Sequence, residues 1–189
     1  MATPPGEAPE AWLICDHAAQ RRHGIGWAKP FPFPTGFYER RGYLFSGPNL
    51  AQLAARCGID AQQLQRSVAR FNYHATQGTD PDYQRGASRY NCAQGDPLQA
   101  PNPSLRPLLQ GPFHAVKLLP GSLGTFAGLC TEASAQVLDS EQRPIPGLYA
   151  VGNDMHSIMG GHYPSGGITL GPGMTFGYLA GKALCGPAT

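Results

Sequence analysis

The sequence predicts an α+β chain of short elements joined by long turns, on three observations. Its 25 glycines and 19 prolines are nearly a quarter of 189 residues, against an ordinary share of roughly 12%. So many turn-formers exclude a helical bundle or a long coiled coil. Two helices with clear start codes fall in the first half, and glycine-punctuated apolar runs of strand length fill the last third. Charged residues make up only 14%, below the roughly 25% of ordinary soluble domains, so part of the surface is expected to be meant for burial.

The charge balance is +2, with no basic block and no aromatic stripe among arginines, which argues against nucleic acid as a partner. Five cysteines at 15, 57, 92, 130 and 185 are an odd number without CxxC spacing, so neither a zinc knuckle nor a disulfide framework is expected. The start has no basic and apolar leader pattern, and no run approaches the ~18 apolar residues of a membrane span. A cytoplasmic chain with reduced thiols is the expectation.

Residues 1–19 read as a tail and a leading strand: a Pro/Ala/Glu-rich start, then the apolar run Trp12–Cys15, which has no partner upstream. GIGWAKPFPFP (24–34) alternates glycine, aromatic and proline, which forbids a helix interior and suits an extended connector over a core. A helix is predicted over 49–57 from Asn49 as N-cap to Gly58 as its left-handed exit. The next begins at Asp60, with Gln63 completing a capping box and Ile59 and Leu64 a hydrophobic staple. Leu64, Val68, Phe71 and Ala75 give it one apolar stripe, ending near Gly78. The polar, proline-rich stretch 78–112 is too long for an ordinary connection and is expected to be an excursion with a purpose or a cover. Residues 20–112 are read as one unit.

Beyond Pro112 the pattern turns to strands: Phe113–Leu119, Ala135–Leu138, a turn at Asp139–Arg143, and Leu148–Val151, expected to form a small antiparallel ribbon. A glycine-rich loop then leads to a last helix, with Pro172 at its first position and Gly186-Pro187 ending it. Glycines at 173, 177 and 181 give that helix a small-residue stripe suited to close packing.

Gly24-Ile25-Gly26 and Gly171-Pro172-Gly173 lack the third glycine and the strand–helix setting of a dinucleotide fingerprint. No phosphate-binding P-loop, HExxH or GxSxG run is present, and Ser165 lacks the nucleophile-elbow spacing. Asp154, His156 and His162, with His114 and His23, are candidate metal ligands by type; spacing alone supplies no convergent geometry, and no metal is expected. The segment 152–173 is more telling. Backbone without side chains can approach a flat ligand, and the free N–H groups of a helix start favour an electron-rich acceptor or an anion. A structural glycine-rich corner is the competing reading.

GLYAVGNDMHSIMGGHYPSGGITLGPGMTFGYLAGKAL (147–184) resembles the C-terminal end of the flavoprotein group that contains the 3-ketosteroid delta-1-dehydrogenases and, more distantly, the fumarate reductases. The resemblance continues through GPFHAVKLLPGSLGTFAGL (111–129), RPIPGLYAVGND (143–154), GIDAQQLQRSVARFN (58–72) and the D-x-D-Y-x-R-G turn at Asp80–Gly86, about nine tenths of the chain. It implies a cap-like substrate domain (20–112) followed by the strand-rich C-terminal segment of an FAD-binding domain (113–189). The family's N-terminal Rossmann portion, with its GxGxxG turn, is absent from this sequence.

The resemblance implies FAD as cofactor, held by Gly152, Asn153 and Asp154 beside the ribityl and pyrophosphate, and by Gly166 and the backbone of Ile168, Thr169 and Leu170 at the flavin ring. Tyr163 and Gly167 match the pair that donates hydrogen bonds to the substrate ketone, acidifying the adjacent C–H. His23 falls where the family places a tyrosine base, and an imidazole can serve as one near neutral pH. Gly124–Gly128 lacks the histidine of the fumarate reductases, so a hydrophobic cyclic or steroid-like ketone fits better than a dicarboxylate. The expected function is a flavin-dependent dehydrogenation α,β to a ketone, with a separately encoded N-terminal half as a possible partner. The alternatives are a non-catalytic truncated fragment, an independent small binding module built on the 152–173 loop, and a fumarate reductase-like part.

Overall fold

The computed structural model describes residues 10–122 and 124–186; the expected tail over 1–9 and Pro187 lie outside the described residues. The chain divides between Pro120 and Gly121 into two compact units.

The first unit is built on a three-stranded antiparallel sheet. β1 (Ala11–Cys15) and β2 (Leu44–Gly47) flank β3 (Phe113–Leu118), with Ile14 opposite Ala115 and Leu44 opposite Val116. The expected ribbon is therefore corrected: strand 113–118 pairs with β1 and β2, not with the later strands. The physical reason is visible in its burial. Phe113 to Val116 are all buried, as befits a central strand covered on both faces, and β1 supplies one of the edges it needs. Contact, not chain order, sets the partner.

Four short helices and one long one dress this sheet. α1 (His17–His23) starts at Asp16, whose carboxylate accepts from Ala19 N at 2.8 Å, and α2 (Gly36–Arg40) starts at Thr35 without a side-chain cap. α3 (Leu50–Cys57) has the expected Asn49 cap, 2.9 Å from Gln52 N, and the expected left-handed exit at Gly58. It lays Leu53 against Phe113 and Ala115. The approach is so close that a Cβ at Gly47 would lie 2.6 Å from Leu53 N. α4 (Ala61–Thr76) is capped by Asp60 and buries Leu64, Val68 and Ala75 as the stripe predicts. Residues 78–112 form an ordered excursion that contains α5 (Arg89–Gln94). Asn102, 8% exposed, ties it together, donating to the carbonyls of Gly78 (3.0 Å) and Arg85 (3.1 Å) and accepting from Ser104 N (2.9 Å). Asn72 fixes its far end by exchanging two bonds with the Leu108 backbone.

The second unit has a hairpin, β4 (Gln136–Leu138) with β5 (Pro144–Tyr149), turned by Asp139, whose Oδ1 accepts from Glu141 N and Arg143 N. Val137, Ala150 and Met155 form its small core with Ile145 and Phe176. A 3-10 turn (Gly152–Asp154) follows, and α6 (Leu170–Cys185) closes the described chain. Pro172 is the third residue of α6 rather than the first, because the helix starts at the N-cap Thr169. Among the described residues no helix is long and apolar enough to cross a membrane.

Candidate functional site

Most of the sequence-predicted site residues lie in the second unit, around the 3-10 turn and the start of α6. The turn is wedged against the glycine-spaced run before β4. Leu129 N donates to Asp154 O at 2.9 Å, His156 N to Leu129 O at 2.8 Å, and Ser157 N to Phe126 O at 2.9 Å. Glycine makes this possible: a Cβ at Gly128 would lie 2.5 Å from the Met155 carbonyl carbon, and one at Gly124 2.5 Å from Asn153 Nδ2. Gly152, Asn153 and Asp154 thus form one rigid turn, with Gly152 and Gly173 backbone to backbone at the start of α6.

The glycines that follow separate into two kinds. Gly160, Gly161 and Gly167 have φ of +61°, +86° and +93°, a backbone that L side chains resist. Gly166 and Gly171 have ordinary φ and no atom of this chain within 4 Å of a would-be Cβ. Neither conformation nor packing within the described residues requires glycine there, which fits the close approach of something flat from outside the chain.

The N-terminus of α6 points to the same conclusion. α1, α3, α4 and α5 each have a side chain accepting from their first turn, whereas α6, like the five-residue α2, has none. Among the described residues the N–H groups of Gly167, Ile168, Thr169 and Leu170 make no hydrogen bond of good geometry, while Gly171 N donates to Gly167 O at 2.7 Å. Four consecutive free donors at the positive end of a 16-residue helix suit an electron-rich, anionic group. Beside them Thr125, Phe126, Gly152, Asn153, Ile168 and Thr169 line a cleft of about 30 Å³, room for a water-sized group. The unit thus offers a flavin one face rather than an enclosure, and as a face its residues fit FAD.

Tyr163 stands at the edge of this face, 50% exposed, its ring edge-on to Phe126 with centroids 6.3 Å apart. Its hydroxyl has no hydrogen-bond partner among the described residues, so phenol O–H and Gly167 N–H are both available as donors. Phe126, which orients Tyr163, is missed by sequence reasoning, which treats its run only as apolar.

His23 lies in the first unit at the C-terminus of α1. Its Nε2 is 3.5 Å from Asp96 Oδ2, and Arg22 holds the same carboxylate at 2.8 Å. His23 also lines a pocket of about 550 Å³. Cys15 is no nucleophile: burial, then the neighbouring Asp16, pushes its thiol up to about 12. Among the described residues no three His, Cys, Asp or Glu side chains converge as metal ligands.

A strand hairpin, a backbone-only turn and an uncapped, glycine-lined helix start are features that a flavin-binding protein can use. A family profile described as FAD binding domain matches residues 1–170, and the chain belongs to that family. The 4-oxocyclohex-2-ene-1-carboxylate 5-dehydrogenase of Sinomonas cyclohexanicum is 45% identical over 171 residues, covering 90% of this chain and 29% of that protein. The 3-oxosteroid 1-dehydrogenase of Mycolicibacterium smegmatis is 39% identical over 184 residues, covering 97% and 32%. Among solved structures, the 3-ketosteroid delta1-dehydrogenase of Sterolibacterium denitrificans, in complex with 1,4-androstadiene-3,17-dione, superposes with a TM-score of 0.82 at 37% identity, over 90% of this chain and 31% of that one. The mixed helix and strand architecture is thus that of FAD-binding oxidoreductases, and the chain spans about a third of the length of the relatives it matches.

Proposed function

We propose that this chain supplies the substrate-side and ring-side parts of an FAD-dependent dehydrogenase that removes hydrogens α,β to the ketone of a hydrophobic cyclic substrate. In this reading residues 20–112 belong to a cap-like substrate domain and 113–189 to the returning segment of the FAD-binding domain. Strand 113–118 serves as the central strand beneath the cap part. A separately encoded N-terminal half would bring the Rossmann portion. The observation that carries the reading is the run of four free N–H groups at 167–170, beside glycines that the chain's own packing does not require.

Gly152, Asn153, Asp154, Gly166 and the backbone of Ile168, Thr169 and Leu170 are the proposed holders of FAD. When bound, FAD supplies hydride acceptance at its ring. Tyr163 O–H and Gly167 N–H donate to the ketone oxygen, and two such donors stabilise the negative charge that grows there as the neighbouring C–H is lost. His23 is the proposed proton acceptor, its imidazole steadied by Asp96. Both relatives described above are named for oxidising ring ketones, and the apolar Thr125–Gly128 run, without a charged group, suits such a ring. The five free cysteines suit a reducing, cytoplasmic compartment.

The test is FAD titration of the purified chain, alone and with the separately expressed N-terminal portion of the Sterolibacterium enzyme. It is followed by the bound-flavin bands near roughly 370 and 450 nm. Saturable binding is expected, and Gly166→Val, whose Cβ would have no described atom within 4 Å, should weaken it at least about tenfold without lowering thermal stability. Failure to bind in either mixture, or equal binding by the variant, would refute the reading.

A further inference from the structure

The excursion 78–112 is held far more firmly than a connection requires, and the firmness builds a pocket. Asn102 locks its two arms, and a Cβ at Gly95 would lie 2.5 Å from the Pro103 carbonyl oxygen. Ser104 Oγ donates to Asn91 O at 2.9 Å, and Leu105, 1% exposed, anchors the chain directly before Arg106. The resulting cavity of about 550 Å³ has the size of a small-ligand site. Its walls are largely apolar, with Ala19, Pro103 and Leu105 among them.

The charges around this cavity do not cancel. Its one acidic lining residue, Asp96, is already committed: it accepts from Arg22 at 2.8 Å and from Leu98 N at 2.9 Å, with His23 3.5 Å away. Arg85 is engaged by Asp80, which it holds below the usual carboxylate range, and packs over Phe71 and Tyr83. That leaves Arg106, half-buried in the wall, with no carboxylate or hydrogen-bond partner among the described residues. A guanidinium removed in part from water and left unpaired is costly unless an anion completes it.

We propose that this pocket binds an organic monocarboxylate with an apolar body, its carboxylate on Arg106 and its body against Ala19 and Pro103. One surplus positive charge in mostly apolar walls matches one negative charge on an apolar ligand; a dianion would leave a charge uncompensated. The pocket shares His23 with the proposed function, but the proposal is argued from the first unit's own residues and its readouts need no flavin, so the two readings can fail separately.

The test is an amide NMR titration of the full chain with cyclohexanecarboxylate, compared with the neutral cyclohexanecarboxamide. Saturable shifts are expected at Gly95, Asp96, Ser104 and Arg106, with the amide binding at least about tenfold more weakly. Arg106→Gln should weaken carboxylate binding by at least about tenfold, Arg106→Lys should recover part of it, and Arg143→Gln, on the β4–β5 hairpin, should change nothing. Equal binding of acid and amide, undiminished binding by Arg106→Gln, or shifts that never saturate would each overturn it.

Discussion

Asn102→Asp swaps one atom of a buried side chain, and its effect follows from the bonds that atom makes. The amide nitrogen donates to two carbonyls, Gly78 O at 3.0 Å and Arg85 O at 3.1 Å, while the amide oxygen accepts from Ser104 N at 2.9 Å. Each bond is worth about 1 kcal/mol net, so truncation to alanine should cost roughly 3 kcal/mol. Aspartate keeps the Ser104 contact but turns a carboxylate oxygen on two carbonyl oxygens, and an unpaired buried charge costs about 3–5 kcal/mol. The side chain lies directly against Gly86, where a Cβ would come 2.0 Å from Asn102 Oδ1, so only glycine leaves room for it. Both tryptophans, Trp12 and Trp27, lie in the first unit, so urea unfolding followed by tryptophan fluorescence reports this unit alone. A loss of 3 kcal/mol should lower the midpoint by about 1.5 M at a slope of ~2 kcal/mol/M. The new carboxyl's pKa is raised in the folded state, so its penalty is full at high pH and is relieved as pH falls through that raised value. The gap from wild type should therefore narrow between pH 8 and pH 5. A variant as stable as wild type at pH 8, or a gap that widens on acidification, would refute the role given to Asn102.

Two further outcomes are expected. Tyr163→Phe in a flavin-loaded enzyme containing this chain should slow dehydrogenation of a cyclic ketone by roughly 10²-fold through loss of one donor to the oxyanion. Turnover within a factor of two of wild type removes Tyr163 from the chemistry. His114, 3% exposed on β3, has its pKa lowered by burial first and by His17, against the opposing charges of Glu39 and Asp16. Above the unfolded value of ~6.5 it is neutral in both states; below it the unfolded chain binds the proton first, so stability falls as pH drops toward the folded value. The slope from this group is at most about 1.4 kcal/mol per pH unit. His114→Gln should flatten the fluorescence-detected midpoints between pH 7.5 and 5.5, and an unaltered slope would place the titration elsewhere.

Local codes were legible wherever the physics is local. The Asn49 and Asp60 caps, the Gly58 exit and the α4 stripe are set by residues within one or two turns, and the structure has all of them. The β4–β5 hairpin was legible for the same reason, since Asp139 organises its own turn. The pairing of β3 was not, because its partners lie about 70 and 100 positions upstream and nothing in an apolar run names its neighbour. α1, capped by Asp16, was overlooked among arginines and histidines that carry no helical stripe. Asn102 and Arg106 gave no signal at all: their meaning is in who touches them, and a proline-rich excursion has no periodicity from which to read it. In the candidate flavin face the family motif points to Tyr163 and Gly167, but the donors at 167–170 and the open Cβ space at 166 and 171 are visible only in the fold.

The two long loops of this chain carry order of different kinds. In 78–112 backbone groups are satisfied by side chains from within the unit, Asn72, Asn102 and Asp96 among them, and the glycines sit where a Cβ would collide. Such a loop pays its ordering entropy from its own contacts and holds a preformed pocket. In 157–169 the internal bonds are few: Gly160 N to Ser157 O at 3.2 Å, His162 N to Met159 O at 3.3 Å and Met159 N to Ser157 Oγ at 3.1 Å. In the proposed function this loop is completed by its ligand: a group that accepts from 167–170 and lies over Gly166 would stabilise the loop by its binding free energy. The first loop is suited to choosing a ligand by shape and charge, and the second to gripping one that presents a flat, electron-rich edge.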